Sequence, residues 1–208
     1  MSTIKVNNLQ HPSAASPAIV LDADGGATVA GMGLVLVSPT SIANSGGSAS
    51  ASGGAVTFTG VTSVSLNGVF NSTYENYRLL INVTNTSTGD VLYARFRASG
   101  TDTSTATYTY GTGRAGRTTL SDGSGVTGSF LNLNFTTAGS FAVGVYDFYS
   151  PNTSGLARMT GNAFALDGGP VARFTGGICT QATAHDGITF VMNTGTMTGT
   201  IRVYGYQN

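Results

Sequence analysis

The chain has 208 residues, of which 40% are hydrophobic and 9% charged, with nine basic and nine acidic side chains. An average soluble protein carries roughly 25% charge, so here the polar surface is made of hydroxyls and amides. A balanced charge argues against a nucleic-acid binder, which would show a basic stripe, and the absence of an ~18-residue apolar run excludes a helical membrane span.

Residues 1–50 read as an extended arm ending in a linker. Ile4, Val6 and Leu9 are isolated apolar points, and Pro12 and Pro17 bracket a small-residue turn. Residues 18–21 (AIVL) form a short strand, stopped by residues 22–26 (DADGG). That run holds part of a calcium loop, but the other ligands and the closing glutamate are missing, so a turn is expected. No self-sufficient core exists in this segment, which therefore needs a partner surface. After the apolar run at 34–37 (LVLV), residues 44–54 (NSGGSASASGG) have the composition of a flexible linker.

Residues 51–208 are a succession of predicted strands. Val56 and Phe58 alternate with polar neighbours, and Tyr77, Leu79, Ile81 and Val83 alternate with Arg78, Leu80 and Asn82. Leu92, Ala94 and Phe96 read as a core face. Tyr93, Arg95 and Arg97 on the opposite face are either an interface or an ordinary solvent-facing strand. Leu131, Leu133 and Phe135 alternate with asparagines, and Phe141, Val143 and Val145 begin another strand. The segments at 188–192 and 200–206, joined by 193–199 (NTGTMTG), read as a terminal hairpin. Strands at this rhythm, between Gly/Ser/Asn/Thr turns, predict an all-β, jelly-roll-like antiparallel sandwich. No helical periodicity extends over a dozen residues.

The longest unpatterned stretch, residues 100–128, reads as a surface loop with contacts outside its own chain. Tyr108, Tyr110, Arg114 and Arg117 are its candidate partner or receptor contacts, because Tyr and Arg dominate interface hot spots. The alternative is that both tyrosines pack on the sandwich as part of an additional strand.

Catalytic, cofactor and metal sites are not expected. Residues 111–116 (GTGRAG) match the dinucleotide-binding glycine string, but residues 117–123 (RTTLSDG) are no helix to aim at a pyrophosphate. Cys179 with His185 is a conceivable nucleophile and base, yet a buried inert thiol is the default for a lone cysteine in a strand. Glu75 is the only glutamate, so a Glu-based acid/base pair is impossible within one chain. The single cysteine permits no internal disulfide, and the N-terminus lacks the apolar core of a signal peptide, as expected for assembly in a reducing cytoplasm.

Residues 2–10 (STIKVNNLQ) and 16–21 (SPAIVL) resemble the opening of tail-fibre and other virion structural proteins of marine tailed bacteriophages, including cyanophages. Residues 70–81 (FNSTYENYRLLI), 92–101 (LYARFRASGT) and 197–205 (MTGTIRVYG) resemble the sandwich domain of the same group. The resemblance implies a non-enzymatic virion protein, assembled in the host cytoplasm, with no catalytic residues to carry over. A tail fibre or tail appendage for host attachment is the leading expectation, and a capsid decoration, cement or head-fibre protein is the alternative. A carbohydrate-binding module is a third, less favoured reading, since the chain has no tryptophan for sugar stacking. The expected partners are further copies of the chain (a homotrimer, from the fibre resemblance alone), other virion proteins held by the arm, and a host cell-surface glycan.

Overall fold

The computed structural model describes residues 8–9, 19–21, 27–29, 33–87, 91–105, 107–115, 120–136, 141–166 and 169–207. Within the arm, β1 (Asn8–Leu9), β2 (Ile19–Leu21) and β3 (Ala27–Val29) pair in order as a small antiparallel sheet. The turn expected at residues 22–26 and the candidate contact Arg117 lie outside the described residues.

Everything else described belongs to one 14-stranded antiparallel system. Its strands are β4 (Leu34–Val37), β5 (Ser41–Ser52), β6 (Ala55–Asn67), β7 (Asn76–Thr86), β8 (Val91–Ala98), β9 (Thr101–Asp102) and β10 (Tyr108–Ala115). They are followed by β11 (Leu120–Gly128), β12 (Leu131–Thr136), β13 (Ala142–Tyr149), β14 (Ala157–Leu166), β15 (Pro170–Cys179), β16 (Gly187–Met192) and β17 (Met197–Tyr206). The described residues contain no helix, and the protein is an all-β, sandwich-like fold.

The layers arise where β6 changes partners. Its first half, Ala55 to Val61, pairs with β17, and its second half, Ser63 to Leu66, pairs with β16. Both partners run along the same side of β6, one after the other, with a break at residues 193–196. Beyond β17 the sheet continues through β7, β13, β14, β15, β10 and β11, whereas beyond β16 it continues through β8 and β12. The small layer folds back so that β12 lies against β10, β14 and β15. Segments 188–192 and 200–206 are therefore not a hairpin. Each pairs with β6, and the chain crosses between layers at the turn separating them.

The expected linker is strand β5, which forms a long hairpin with β6. Its glycines mark the corner of the sandwich. The β5–β6 register shifts between Ser45 and Gly46, and Gly46, Gly47 and Gly60 have φ of 69°, 39° and 63°. A Cβ on Gly47 would lie 1.9 Å from the Thr59 carbonyl oxygen, so no other residue fits. Bulges and glycine kinks of this kind bend a sheet into a second layer. Almost every β5 side chain is exposed, which is why no apolar alternation distinguishes it from a linker.

The core lies between the layers. The expected inward sets Tyr77, Leu79, Ile81, Val83 and Leu92, Ala94, Phe96 are all buried. Phe70 packs edge-on to Tyr77 at 4.9 Å between ring centroids, and Phe96 meets Phe148 at 5.7 Å. Each such ring contributes about 1.5–3 kcal/mol by leaving water. The face of β8 carrying Tyr93, Arg95 and Arg97 is partly covered by its own chain. Arg97 is 9% exposed, Arg95 donates to the Ser129 carbonyl, and Tyr93 lies against Phe130 with the ring planes tilted by 36°.

Candidate binding face

The described part of residues 100–128 is mostly strand rather than loop. It forms β9, β10 and β11, with β10 inserted between β11 and β15. Tyr108 is fully enclosed, accepting from the Phe96 amide at 2.9 Å and donating to the Thr103 carbonyl at 3.0 Å. Burial raises its phenol pKa well above the ordinary tyrosine value. Tyr108 is a core residue, and the additional-strand alternative is the one found. Tyr110 packs partly buried against the core. Arg114 is half-buried, on the same strand parity, opposite Arg173 of β15. Tyr and Arg suit surface anchors by residue type, but the period-two Thr-Tyr-Thr-Tyr run at 107–110 is the signal of a strand.

Other flagged residues are internal. Cys179 is buried in β15, in register with Tyr108 and Ala157. His185 is buried with its ring 4.8 Å from Phe96 and nearly parallel to it. Among the described residues, no group of three or more His, Cys, Asp or Glu could hold a metal ion.

The exposed feature of the fold is the outer face of the large layer. Strand β13 presents Ala142, Gly144, Tyr146 and Phe148 inward, leaving Val143, Val145, Asp147 and Tyr149 outward. Cross-strand register builds three rows across β17, β7, β13, β14 and β15. The first is Thr200, Asn82, Val143, Phe164 and Ala172. The second is Arg202, Leu80, Val145, Asn162 and Phe174. The third is Tyr204, Arg78, Asp147, Thr160 and Gly176. Chemistry changes along the strands: the first two rows hold large exposed apolar side chains, and the third is polar.

Two shallow clefts follow this division. One, of about 490 Å³, lies over Leu80, Val143, Val145 and Phe164. The other, of about 650 Å³, lies over Arg78, Asp147, Thr160, Asn162, Val145 and Phe174, with glycines 111, 113 and 176 contributing to its wall. In the second cleft Arg78 makes a two-pronged ion pair with Asp147, Nε to Oδ1 at 2.8 Å and Nη2 to Oδ2 at 2.9 Å. The Tyr206 hydroxyl donates to the same Oδ1 at 2.6 Å, and its ring lies 5.4 Å from the guanidinium carbon. Partial burial pushes the Asp147 carboxyl up, but hydrogen bonds from Arg78 and Tyr206 outweigh this and hold it below its ordinary value. Burial and donation to Asp147 push the Tyr206 phenol up to about 12. Both charges are thus satisfied before any ligand arrives.

No protein-family model and no curated protein matches the chain. A crystal structure of a protein of unknown function from Shewanella oneidensis MR-1 aligns over 84% of this chain and 80% of its own, at 10% identity and a TM-score of 0.20. A likeness at that score carries neither fold nor function. The class is set by the strand pairings themselves: an antiparallel, all-β, sandwich-like protein with an apolar outer face.

Proposed function

We propose that the protein is a non-enzymatic structural component of a tailed-phage virion, a tail fibre or appendage that assembles with copies of itself and takes part in host attachment. The observation that supports it is the apolar end of the outer face. Leu80, Val143, Val145 and Phe164 sit side by side on three adjacent strands and are all exposed in the single chain. Contiguous apolar patches on soluble proteins mark surfaces that a partner covers. The low charge of the chain leaves little repulsion between copies. The virion setting rests on the resemblance of residues 2–10, 70–81 and 197–205 to phage structural proteins.

The test has two parts. Light scattering of the purified full chain is expected to give a homo-oligomer, a trimer on the fibre resemblance; a monomer at every concentration would remove self-assembly from the reading. Antibody labelling of intact particles is expected to mark the tail. Label on the head shell would make this a decoration or cement protein, and unlabelled particles would remove the virion assignment.

A further inference from the structure

We propose that the cleft over Arg78, Asp147, Asn162 and Phe174 is a binding site for an uncharged saccharide. This deepens the attachment half of the reading above, and rests on it, by naming the ligand class and the residues that hold it.

The charge state argues for a neutral ligand. An anion would have to compete with Asp147 for a guanidinium already engaged on two prongs, and a cation would have to compete with Arg78 for the carboxylate. A hydroxyl needs neither displacement. Asp147 accepts two bonds from Arg78 and one from Tyr206, which leaves it about one of roughly four lone-pair sites, and Arg78 keeps the N–H donors not spent on Asp147. Side by side they suit a vicinal diol, which donates with one oxygen while accepting with the next.

The remaining wall fits the same chemistry. Thr160 and Asn162 stand two residues apart on β14 and point outward beside Asp147 and Val145 of β13. They add a hydroxyl and an amide, each able to donate and accept. Phe174, 47% exposed, stands beside Asn162 on the neighbouring strand β15 and supplies an apolar ring for the C–H face of a sugar. From β15 to β13 is two interstrand spacings, roughly 10 Å, which accommodates a short oligosaccharide lying across the strands. Gly111 and Gly176 face each other in register, and neither places a side chain over this end of the cleft. The sequence lacks tryptophan, but the platform here is phenylalanine.

The test uses the full chain and a soluble panel of neutral trisaccharides of glucose, mannose, galactose and N-acetylglucosamine. Sialyllactose and a heparin-derived tetrasaccharide are the anionic comparators. Binding is read by ligand-observed NMR and titration calorimetry. At least one neutral sugar is expected to bind, with affinity falling about tenfold or more in F174A and N162A, as expected when a stacking or hydrogen-bonding group is lost. Both residues are outward-facing, and unchanged melting temperatures would show that the variants fold. No binding by any neutral sugar, binding of the anionic sugars only, or unaltered affinity in both folded variants would each overturn the proposal. V143S/F164S, which alters only the apolar end, is expected to retain sugar binding. Loss of assembly in that variant with sugar binding intact would separate the two halves of the functional reading.

Discussion

The Tyr146 hydroxyl donates a 2.8 Å hydrogen bond to the carbonyl of Leu133, joining the large layer to the small one. Leu133 lies where the β12–β8 register shifts, between Asn132 and Phe135, so the bond reaches a carbonyl at an interruption of the ladder. Thr175 makes a second crossing, donating to the Asn132 carbonyl at 2.8 Å. The space for the Tyr146 ring comes from two glycines. A Cβ on Gly161 would lie 2.1 Å from its Cδ1, and one on Gly144 would lie 2.5 Å from its Cε2.

Tyr146→Phe removes this bond and keeps the ring. The expected loss is about 1–3 kcal/mol, the cost of leaving a buried polar group without its partner. Gly161→Ala keeps the hydroxyl but drives a methyl into the ring, with an expected cost of about 1–3 kcal/mol from overpacking. Urea unfolding of both variants checks the pair. A neutral Gly161→Ala would mean that the ring does not lie over this glycine.

The buried cluster around Arg97 yields a second expectation. Its guanidinium donates to Asn67 Oδ1 at 2.9 Å, Ser65 Oγ at 3.0 Å and Thr189 Oγ1 at 2.7 Å, and also reaches Asp102 and the Gly100 carbonyl. The Arg97 and Asp102 side chains are 11% and 24% exposed. Arg97→Met strands the Asp102 carboxylate and is expected to cost about 3 kcal/mol, the low end of the range for breaking a buried pair, because Asp102 retains some solvent. Adding Asp102→Leu is expected to restore part of the loss. A double-mutant cycle in guanidinium chloride measures the coupling, and additive effects would deny it.

How much of this was legible in the sequence depended on whether burial left a pattern. Tyr77 to Val83 and Leu92 to Phe96 alternate because one side of each strand meets the core. Strand β5 touches the core only through Ile42 and Ala49, so its exposed Ser, Gly and Ala residues imitate a linker. Only the glycines that form the corner betray it, and sequence alone does not separate bend from flexibility. Tyr108 was misplaced because its neighbours are Thr and Gly rather than large apolar residues, although its period-two spacing with Tyr110 was available. The terminal segments looked like a hairpin because a local turn cannot reveal that both flanking strands pair with a distant third. The outer face was least legible of all. Val143 and Val145 are visible as a β pattern, but the side they occupy is fixed by Tyr146 fitting over Gly144 and Gly161.

Self-association through the apolar outer face has a direct mutational test. Val143→Ser with Phe164→Ser removes two neighbouring apolar groups that contribute little to the core of the single chain. The variant is expected to keep its melting temperature as a monomer and to shift its assembly equilibrium toward monomer by at least tenfold, about 1.4 kcal/mol. Sedimentation velocity across a concentration series measures the shift. Assembly at wild-type concentrations would place the contact elsewhere on the surface.

His185 supplies a pH dependence whose sign is fixed by its surroundings. The side chain is 1% exposed, with neither ring nitrogen hydrogen-bonded among the described residues. Burial lowers its pKa, and the neighbouring Asp186 opposes this only in part. The unfolded chain, with an ordinary histidine pKa of about 6.5, therefore takes up a proton at a higher pH than the folded chain. Stability is fully present above about pH 7.5, declines as pH falls through the unfolded value, and levels off below the lowered folded value. Asp147 has its carboxyl held low, so it acts in a separate window, losing its contribution as the medium becomes acidic enough to protonate carboxylates. His185→Phe preserves the stacking on Phe96 and removes the titration. Between pH 7.5 and 5, unfolding free energy is expected to fall in the wild type and to stay nearly flat in His185→Phe. Equal slopes for the two proteins would show that His185 is not the group responsible.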